Sequence, residues 1–280
     1  MIRLALRVRR EQAELVLAEL LDLAPSGVEE RELPGGIIEY AVYGAPGELP
    51  ELPALEAVAG EALVEISTEE IADDWHERWR AFHRPVTIAA QRLGAPGLRV
   101  RPPWEPADPD GGYDELVIDP GRAFGTGAHD TTRLCLELLL GLEPAGAVAD
   151  VGCGSGVLGI AAARLGWDPV TGLDHELESV EATRENAVVN GVAIQVERFD
   201  LLLDGPAPAA PTVLANLVRP LLLAVARTGF REGLVPRTLI ASGLLVHEAD
   251  EVAAAFREAM GLQEERRLIG GEWAALQLRS

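Results

Sequence analysis

The sequence contains no lysine: its 24 basic residues are all arginines, set against 45 aspartates and glutamates in 280 residues. The formal net charge of -21 opposes the approach of a phosphate backbone, so the composition disfavours nucleic-acid binding through a broad basic face. The same field would attract a basic protein or peptide. On charge alone, an acidic surface that only keeps the chain soluble is an equally valid interpretation.

Cysteine is almost as rare, with Cys135 and Cys153 as its two instances. No Cys-x-x-Cys pair or Cys/His cluster accompanies them, so we expect neither a disulfide framework nor a metal site. Cys153 lies in a glycine-rich turn, where a nucleophile would be one interpretation. Because no histidine stands beside it in the sequence, a small buried turn residue is the favoured one.

Long hydrophobic runs are also missing, since none approaches the roughly 20 residues that cross a bilayer. Four arginines interrupt the first ten residues, which argues against a signal peptide. We therefore expect a cytoplasmic protein without a membrane partner. We also expect a monomer. A length of 280 residues and a hydrophobic content of 48% suit two globular domains.

Residues 1–66 predict a small domain with the element order βαββαβ. The predicted elements are a strand at 2–8, a helix at 11–23, strands at 28–33 and 37–43, a helix at 54–59 and a strand at 62–66. This order is that of a split βαβ, ferredoxin-like α+β sandwich. The domain carries five arginines against thirteen acidic residues, which favours a basic protein over ribosomal RNA as its partner.

A helical linker is predicted over 67–84. Ser67-Thr68-Glu69-Glu70 fits a capping box, and Trp75 and Trp79 follow on an apolar stripe at helical spacing. The simplest interpretation packs these tryptophans against one of the domains. A direct role of Trp75 or Trp79 in holding substrate is the alternative.

Residues 85–280 predict an α/β domain, because strands and helices alternate as in a parallel sheet covered on both faces. A strand pair within 86–100, a strand at 115–118 and a helix at 134–142 come first. The predicted sheet strands are 147–151, 170–174, 194–197, 212–216, 238–242, 263–267 and 273–278, with helices near 157–165, 177–190, 217–228 and 248–260. The last two strands follow each other directly, so this seven-stranded sheet should end in an antiparallel hairpin.

The stretch from Asp150 to Gly156 reads Asp-Val-Gly-Cys-Gly-Ser-Gly and predicts a strand, a tight turn and a helix start. Gly152 and Gly154 would let the backbone approach a nucleotide-like cofactor. A dinucleotide fingerprint would need G-x-G-x-x-G, whereas Val157 occupies the position of its third glycine. The acidic Asp150 also suits a cationic ligand better than a pyrophosphate. The pattern therefore favours S-adenosylmethionine over NAD.

Two polar residues end neighbouring strands at the edge where ligands bind in parallel sheets. Asp174 is placed to accept hydrogen bonds from ribose hydroxyls, and a helix cap is its alternative role. Asn216 could orient a substrate amine or donate to the cofactor, and it too could cap the next helix. No other catalytic residue is indicated.

A second glycine-rich stretch, from Asp119 to Thr132, also runs into a helix. Its Pro-Gly-x-Ala-Phe-Gly-Thr-Gly-x-His-x-Thr-Thr pattern resembles the signature of the bacterial ribosomal protein L11 methyltransferases. The likeness continues through Asp150 to Leu158, Ala-Asn-Leu at 215–217, Ser-Gly-Leu-Leu at 242–245 and Gly-Glu-Trp at 271–273. The residue after Asp174, His175, and the basic Arg219 near the expected pocket rim depart from that pattern.

The resemblance implies a class I, Rossmann-like S-adenosylmethionine-dependent methyltransferase domain over 85–280, behind a substrate-recognition domain. It implies methyl transfer to lysine ε-amines and to the N-terminal α-amine of ribosomal protein L11. The cofactor-binding positions that it implies, together with those indicated by the glycine turn, are Thr132, Gly152, Gly154, Asp174, Asn216, Phe124, Gly125 and Thr126. The loop from Phe124 to Gly127 would close over the cofactor. His129 follows in the same stretch, where bracing the loop is its favoured role and proton abstraction is the alternative.

Three functions follow from these expectations. The first is methylation of protein L11 at amines. The second is the same chemistry on another basic protein or a small amine, and the third is a non-catalytic protein that binds S-adenosylmethionine. The glycine turn, Asp174 and the signature loop together favour an enzyme.

Overall fold

The computed structural model describes residues 2–13, 16, 20, 29–44, 49, 55, 59–70, 83–120, 125 and 127–280. The chain divides into two compact units, Met1–Ala81 and Phe82–Ser280. The strands of the first unit are β1 (Ile2–Arg9), β2 (Glu29–Leu33), β3 (Ile37–Gly44) and β4 (Leu63–Glu70). In the described part of the chain, no helix combines the length and the apolar character needed to span a bilayer.

The four described strands of the first unit form one antiparallel sheet in the order β2-β3-β1-β4. Strands β1 and β2 therefore run parallel to each other with β3 between them, as in a split βαβ arrangement. Alternate residues such as Leu4, Leu6 and Tyr40 are buried in the core of this unit. The predicted helices at 11–23 and 54–59 fall largely outside the described residues, so the ferredoxin-like sandwich stays a prediction.

The expected helix start at Ser67 is wrong. Strand β4 continues through Glu70, and it pairs with β1 in a register that sets Ser67 opposite Ala5 and Glu70 opposite Ile2. The eight-residue β1 offers backbone partners along its whole length, and those hydrogen bonds outweigh the local capping preference. The sheet thus extends four residues into the predicted linker, and the tryptophans at 75 and 79 lie outside the described residues.

Two of the arginines on β1 are neutralised inside the first unit. Glu39 on β3 is only 3% exposed and accepts hydrogen bonds from Arg3 Nη2 at 2.5 Å and Arg7 Nε at 2.7 Å. Burial by itself raises the carboxyl pKa of Glu39, but the two arginine hydrogen bonds outweigh it and lower this pKa. Arg7 also pairs with Glu65. Arg3 and Arg7 are therefore engaged by carboxylates of their own unit.

The second unit opens with a small sheet and continues with a large one. Its small sheet is β5-β6-β7, and its large sheet has the order β10-β9-β8-β11-β12-β14-β13. The strands are β5 (Val86–Ile88), β6 (Gly97–Arg101), β7 (Tyr113–Val117), β8 (Val148–Val151), β9 (Val170–Asp174), β10 (Gln195–Arg198), β11 (Thr212–Asn216), β12 (Thr238–Leu245), β13 (Gln263–Gly270) and β14 (Trp273–Arg279). The helices are α1 (Asp130–Leu140), α2 (Val157–Leu165), α3 (Leu177–Val189), α4 (Arg219–Thr228) and α5 (Ala249–Met260).

The large sheet is parallel from β10 through β12, and β14 and β13 close it as the predicted antiparallel hairpin. Helices α1 and α2 pack on one face with Val148 and Leu214, and helices α4 and α5 pack on the other with Ala149 and Val213. Both faces are covered, which explains why the central strands β8, β9 and β11 are buried along almost their whole length. The strand order reverses between β8 and β11, which defines where a ligand should bind.

Candidate functional site

A cavity of about 720 Å³ lies at the carboxyl ends of β8, β9 and β11, next to the reversal of strand order. Its size is that of a small-molecule site, and apolar side chains form much of its wall. The structure brings the described members of the predicted site together around this one cavity. They are Gly125, Thr132, Gly152, Gly154, Asp174 and Asn216.

The glycine turn adopts the sharp conformation that the sequence predicts. Gly152, Gly154 and Gly156 have φ angles of +75°, +54° and +82°, which only glycine adopts without strain. A Cβ on Gly152 would lie 2.4 Å from Leu217 Cδ2, so a side chain there would disturb the cavity wall. The N–H of Gly152 donates to Leu173 O at 2.8 Å, which fixes the turn against the end of β9.

Asp150 does not take the role expected of it. It is 1% exposed, and its Oδ2 accepts a hydrogen bond from Gly159 N of helix α2 at 2.8 Å. Burial raises the carboxyl pKa of Asp150 to about 7, and the nearby Asp174 adds to the rise while the Gly159 N–H opposes it. This carboxyl braces the strand-to-helix connection and is not among the residues that line the cavity.

We expect Asp150→Asn to change the pH dependence of stability. The carboxyl pKa of Asp150 is about 7 in the folded protein and about 3.9 in the unfolded chain. At a pH between these two values, Asp150 is therefore protonated in the folded state and ionised in the unfolded state. The free energy of unfolding of wild type should therefore fall as the pH rises from about 4 to about 7. The Asp150→Asn variant cannot ionise at this position, so its free energy of unfolding should not show this fall. Urea unfolding should show the variant gaining about 3 kcal/mol on wild type between pH 5 and pH 8.

The matched control is Asp110→Asn, which removes one charge from an exposed position. Its free-energy difference from wild type should not grow over the same pH range. Equal pH dependence of wild type and Asp150→Asn would show that Asp150 is already ionised when folded.

Asp174 lies where the sequence predicts, at the end of β9, and it lines the cavity. Its Oδ2 accepts from Gly154 N at 2.9 Å, and its Oδ1 accepts from Glu176 N at 3.0 Å. The carboxylate thus holds both the glycine turn and the start of α3, so the cap-like role and the cavity position coexist. An ionised carboxylate keeps further lone pairs for ribose hydroxyls after making these two bonds.

Asn216 and Thr132 meet across the cavity, 84 positions apart in sequence. Asn216 Nδ2 donates to Thr132 Oγ1 at 3.2 Å, and Thr132 is 1% exposed. This bond fixes the amide plane of Asn216 and therefore the direction of its carbonyl oxygen. Helix α4 begins at Arg219, with Val218 as its N-cap, so Asn216 does not cap it.

The signature loop is described in part. Phe124 and Thr126 lie outside the described residues, so their predicted cofactor contacts stay predictions. Gly125 lines the cavity with a φ of +96°, and its carbonyl oxygen accepts from Ser155 Oγ at 2.6 Å. This bond ties the loop directly to the glycine turn.

His129 stabilises the start of helix α1, whereas the sequence predicts that it braces the signature loop. It is the N-cap of that helix, and its Nδ1 accepts from Thr131 N at 3.3 Å and lies 2.8 Å from Thr131 Oγ1. Its ring also packs edge-on against Trp273, with centroids 5.0 Å apart. Capping commits Nδ1 to the helix, and the contact with Trp273 fixes the plane of the ring.

Cys153 has the structural role favoured by the sequence. It is 6% exposed, and Thr183 Oγ1 lies 3.3 Å from its sulfur. Burial raises the pKa of the Cys153 thiol, which keeps it protonated and unreactive. Within the described residues no cluster of histidine, cysteine, aspartate and glutamate could hold a metal ion.

The structure adds an amide clamp on helix α3 that the sequence does not reveal. Asn186 Nδ2 donates to Ser155 O at 2.9 Å, and its Oδ1 accepts from Asp119 N at 3.0 Å. Asn190, which follows the last residue of that helix, makes a similar pair with the backbone N–H and C=O of Val117, at 2.8 and 2.7 Å. These amides tie the start of the signature loop to the glycine turn. In the sequence, the one feature that could have indicated this clamp is the pair of asparagines near the end of the predicted helix.

A second missed segment is 199–202, which follows β10. Phe199, Asp200 and Leu201 line the cavity, and Asp200 Oδ1 accepts from Leu202 N at 2.8 Å to shape the turn. Its position after a parallel strand, at the same sheet edge as Asp174, was the signal that could have found it.

Arg219, which the sequence places near the pocket rim, is not among the residues that line the cavity. Its Nη1 pairs with Glu251 Oε2 at 2.7 Å, and its Nε lies 3.2 Å from Glu248 Oε1. These contacts direct the guanidinium toward the start of α5. His175 does line the cavity, with its Nδ1 3.5 Å from Asp174 Oδ1.

The charges in the cavity fit a cationic cofactor without phosphate. Its described wall contains the carboxylates of Asp174, Glu176 and Asp200, and no arginine. A pyrophosphate would meet repulsion there, whereas the sulfonium and ammonium groups of S-adenosylmethionine would be attracted. Because Gly152 has no Cβ, the Leu217 side chain packs directly against the glycine turn and completes the cavity wall there.

The sheet order, the glycine turn and the acidic cavity together define a class I S-adenosylmethionine-dependent methyltransferase, which confirms the predicted cofactor. Residues 51–280 match the family model described as ribosomal protein L11 methyltransferase. The chain belongs to the ribosomal protein L11 methyltransferase family.

Individual relatives agree with this assignment. The chain is similar to the ribosomal protein L11 methyltransferase of Pseudomonas aeruginosa (strain LESB58), with 41% identity over 73% of this chain and 68% of that protein. The one from Geobacter metallireducens is 38% identical over 73% of this chain and 65% of its own length. A crystal structure of ribosomal protein L11 methylase from Lactobacillus delbrueckii subsp. bulgaricus matches with a TM-score of 0.57 and 30% identity, over 65% of this chain and 95% of that one.

Proposed function

We propose that this chain transfers methyl groups from S-adenosylmethionine to ribosomal protein L11, at lysine ε-amines and at the N-terminal α-amine. The observation that carries the proposal is the joining of Asp174, the glycine turn and the Asn216–Thr132 pair around one cavity in a chain of this family. When bound, the cofactor supplies an electrophilic methyl group on a sulfonium.

Asp174 and the apolar wall near it would hold the nucleoside part of the cofactor. The Asp174 carboxylate, already fixed by Gly154 N and Glu176 N, would accept from the two ribose hydroxyls. Phe199 and Leu201 line the adjacent wall and offer an apolar surface to the adenine ring. The turn at Gly152 would bring backbone close to the cationic end of the cofactor.

Asn216 would orient the substrate amine. The amine nitrogen must be neutral, with its lone pair directed at the methyl carbon, so positioning supplies much of the rate. Because Asn216 Nδ2 donates to Thr132 Oγ1, its carbonyl oxygen is fixed as an acceptor for an amine N–H. The protein thus fixes the direction of attack without adding a charge.

The cavity rim would help to deprotonate a lysine. Val218 on the rim is 59% exposed, and Leu221 and Trp273 continue this apolar lining. Removing water from a lysine ammonium lowers its pKa from about 10.4, so the reactive neutral form becomes accessible. His129 caps helix α1 instead of taking the proton, which therefore leaves to solvent.

The domain of residues 1–66 would recognise the protein substrate. Its arginines Arg3 and Arg7 are paired internally with Glu39, and among the described residues of this domain glutamates outnumber arginines as exposed charged side chains. Such a surface suits a basic ribosomal protein and repels RNA. We further propose that the enzyme acts as a monomer in the cytoplasm, without direct contact with nucleic acid.

The proposal is tested by label transfer. Purified protein is incubated with methyl-labelled S-adenosylmethionine and ribosomes from a strain that lacks this enzyme. Label on L11 supports the proposal, and label on another protein or on a small amine supports the same chemistry with a different acceptor. No transfer despite cofactor binding would indicate a non-catalytic binding protein.

We expect Asn216→Ala to lower kcat by at least about tenfold, because the amine loses its orienting acceptor. The cofactor Kd should change much less, since the loss falls on the reacting geometry. Steady-state methylation kinetics and calorimetric titration with S-adenosylhomocysteine measure the two quantities.

The control for Asn216→Ala is Gln195→Ala, which removes a side-chain amide from an exposed position on β10. Its kcat and cofactor Kd should both match those of wild type. Normal turnover in Asn216→Ala would remove Asn216 from the mechanism.

A further inference from the structure

A second cavity, of about 620 Å³, lies at the opposite end of the large sheet. It is formed where β11 and β12 begin, at Thr212 and Thr238, whereas the methyl-transfer cavity lies where β11 ends. The end of helix α1 and the hairpin strands β13 and β14 complete its walls. This volume is also within the range of small-molecule sites.

Three arginines line this second cavity, although the chain as a whole carries a charge of -21. They are Arg237, Arg266 and Arg279. The two carboxylates in the wall are already engaged by other side chains. Glu143 pairs with Arg92 Nη1 at 2.5 Å, and Glu265 pairs with Arg279 Nη1 at 3.1 Å.

Two of the three guanidinium groups remain for a ligand. Among the described residues, neither Arg237 nor Arg266 has an acidic partner. Arg266 is partly buried, and its Nη1 lies only 2.8 Å from the point that a Cβ on Gly141 would occupy. A guanidinium held in a recess without a counter-charge is a good binding site for an anion, because its planar fork matches phosphate oxygens.

The wall also contains a buried polar group with unmet bonding capacity. Gln277 is 3% exposed, and its Nε2 donates to Glu265. Its Oε1 has no hydrogen-bond donor within the described part of the chain. Buried acceptors normally have a partner, so this oxygen would accept a hydrogen bond from a hydroxyl on the organic part of a bound ligand.

We propose that this second cavity, between Arg237 and Arg266, binds a small organic phosphate. The ligand is small because the recess has the volume of a metabolite site, and it is a phosphate because two guanidinium forks line a wall whose carboxylates are neutralised. The site is separate from the methyl-transfer cavity and does not depend on the proposed function.

Calorimetric titration of the full chain with inorganic pyrophosphate, at low ionic strength, tests the proposal. Wild type should bind it saturably with one site. Arg266→Gln should weaken binding at least about tenfold, because a charge-assisted pair is lost. Gly141→Ala should weaken it as well, because the added methyl would lie 2.8 Å from Arg266 Nη1 and displace the guanidinium. The φ of Gly141 is an ordinary -77°, and the methyl would also lie 3.2 Å from Leu138 O, which asks for only a small local shift.

Arg257→Gln is the matched control, because it removes the same charge from an exposed position on α5 outside the cavity. Its affinity should stay within about twofold of wild type. Thermal unfolding confirms that each variant is folded. Absence of saturable binding to wild type, unchanged affinity in Arg266→Gln, or an equal loss in Arg257→Gln would each overturn the proposal.

Discussion

Replacing Gly243 with alanine is expected to lower kcat/KM for methyl transfer by about 100-fold. Gly243 lines the cavity with a φ of +84°, and a Cβ there would lie 2.4 Å from Leu217 O and 2.7 Å from Leu217 C. These are backbone atoms, which cannot rotate away. The segment that carries Asn216 must therefore move, and a shift of about 1 Å in a reacting group costs about this much rate.

Gly261→Ala separates this effect from simple backbone strain. Gly261 caps helix α5 with a φ of +76°, almost the same as that of Gly243, but a Cβ there would have no neighbour within 4 Å. Both variants should lose about 1 kcal/mol of stability from the left-handed conformation. Only Gly243→Ala should lose activity. Wild-type kinetics in Gly243→Ala would show that the close approach of β12 to Leu217 is unimportant for the site.

Replacing Asp174 with alanine should weaken cofactor binding by about 100-fold or more. Two hydrogen bonds from ribose hydroxyls to a carboxylate would be lost, each worth about 1.5 to 3 kcal/mol. Asp174→Ala also releases Gly154 N and Glu176 N, which loosens the glycine turn. Titration with S-adenosylhomocysteine measures the change in Kd directly.

Two variants divide the Asp174 effect into its parts. Asp174→Asn keeps an acceptor oxygen without the charge, so it should bind more tightly than Asp174→Ala and more weakly than wild type. Glu181→Ala removes one negative charge from an exposed position on helix α3 and should bind the cofactor as wild type does. If Glu181→Ala weakens binding as much as Asp174→Ala, the net charge of the chain and not the ribose contact controls affinity.

The sequence predicts the large sheet well because glycines and prolines mark the ends of its strands. The predicted strands at 170–174 and 212–216 coincide with β9 and β11, and the predicted helix at 157–165 coincides with α2. The order of alternating elements was sufficient to place Asp174 and Asn216 at one edge. Their shared cavity follows from topology alone.

Features that depend on distant partners could not be predicted in this way. Ser67 looks like a helix cap, but pairing with β1, more than 60 positions away, makes it part of a strand. Asp150 precedes the glycine turn, so the sequence predicts that it faces a cationic cofactor. The structure buries its carboxyl against helix α2, and this burial cannot be read from the sequence. Asn186 is a polar residue of the kind found on exposed helix faces. In the structure it instead joins two glycine-rich segments through hydrogen bonds to Ser155 and Asp119.

Mass spectrometry of purified, unmethylated protein L11 after incubation with this enzyme and S-adenosylmethionine tests the central claim most directly. We predict that L11 gains whole methyl groups, that fragmentation places them on lysine side chains and the N-terminal amine, and that Asp174→Ala abolishes the gain at limiting cofactor. L11 that keeps its unmethylated mass while the enzyme binds cofactor and methylates another protein or amine would contradict the claim.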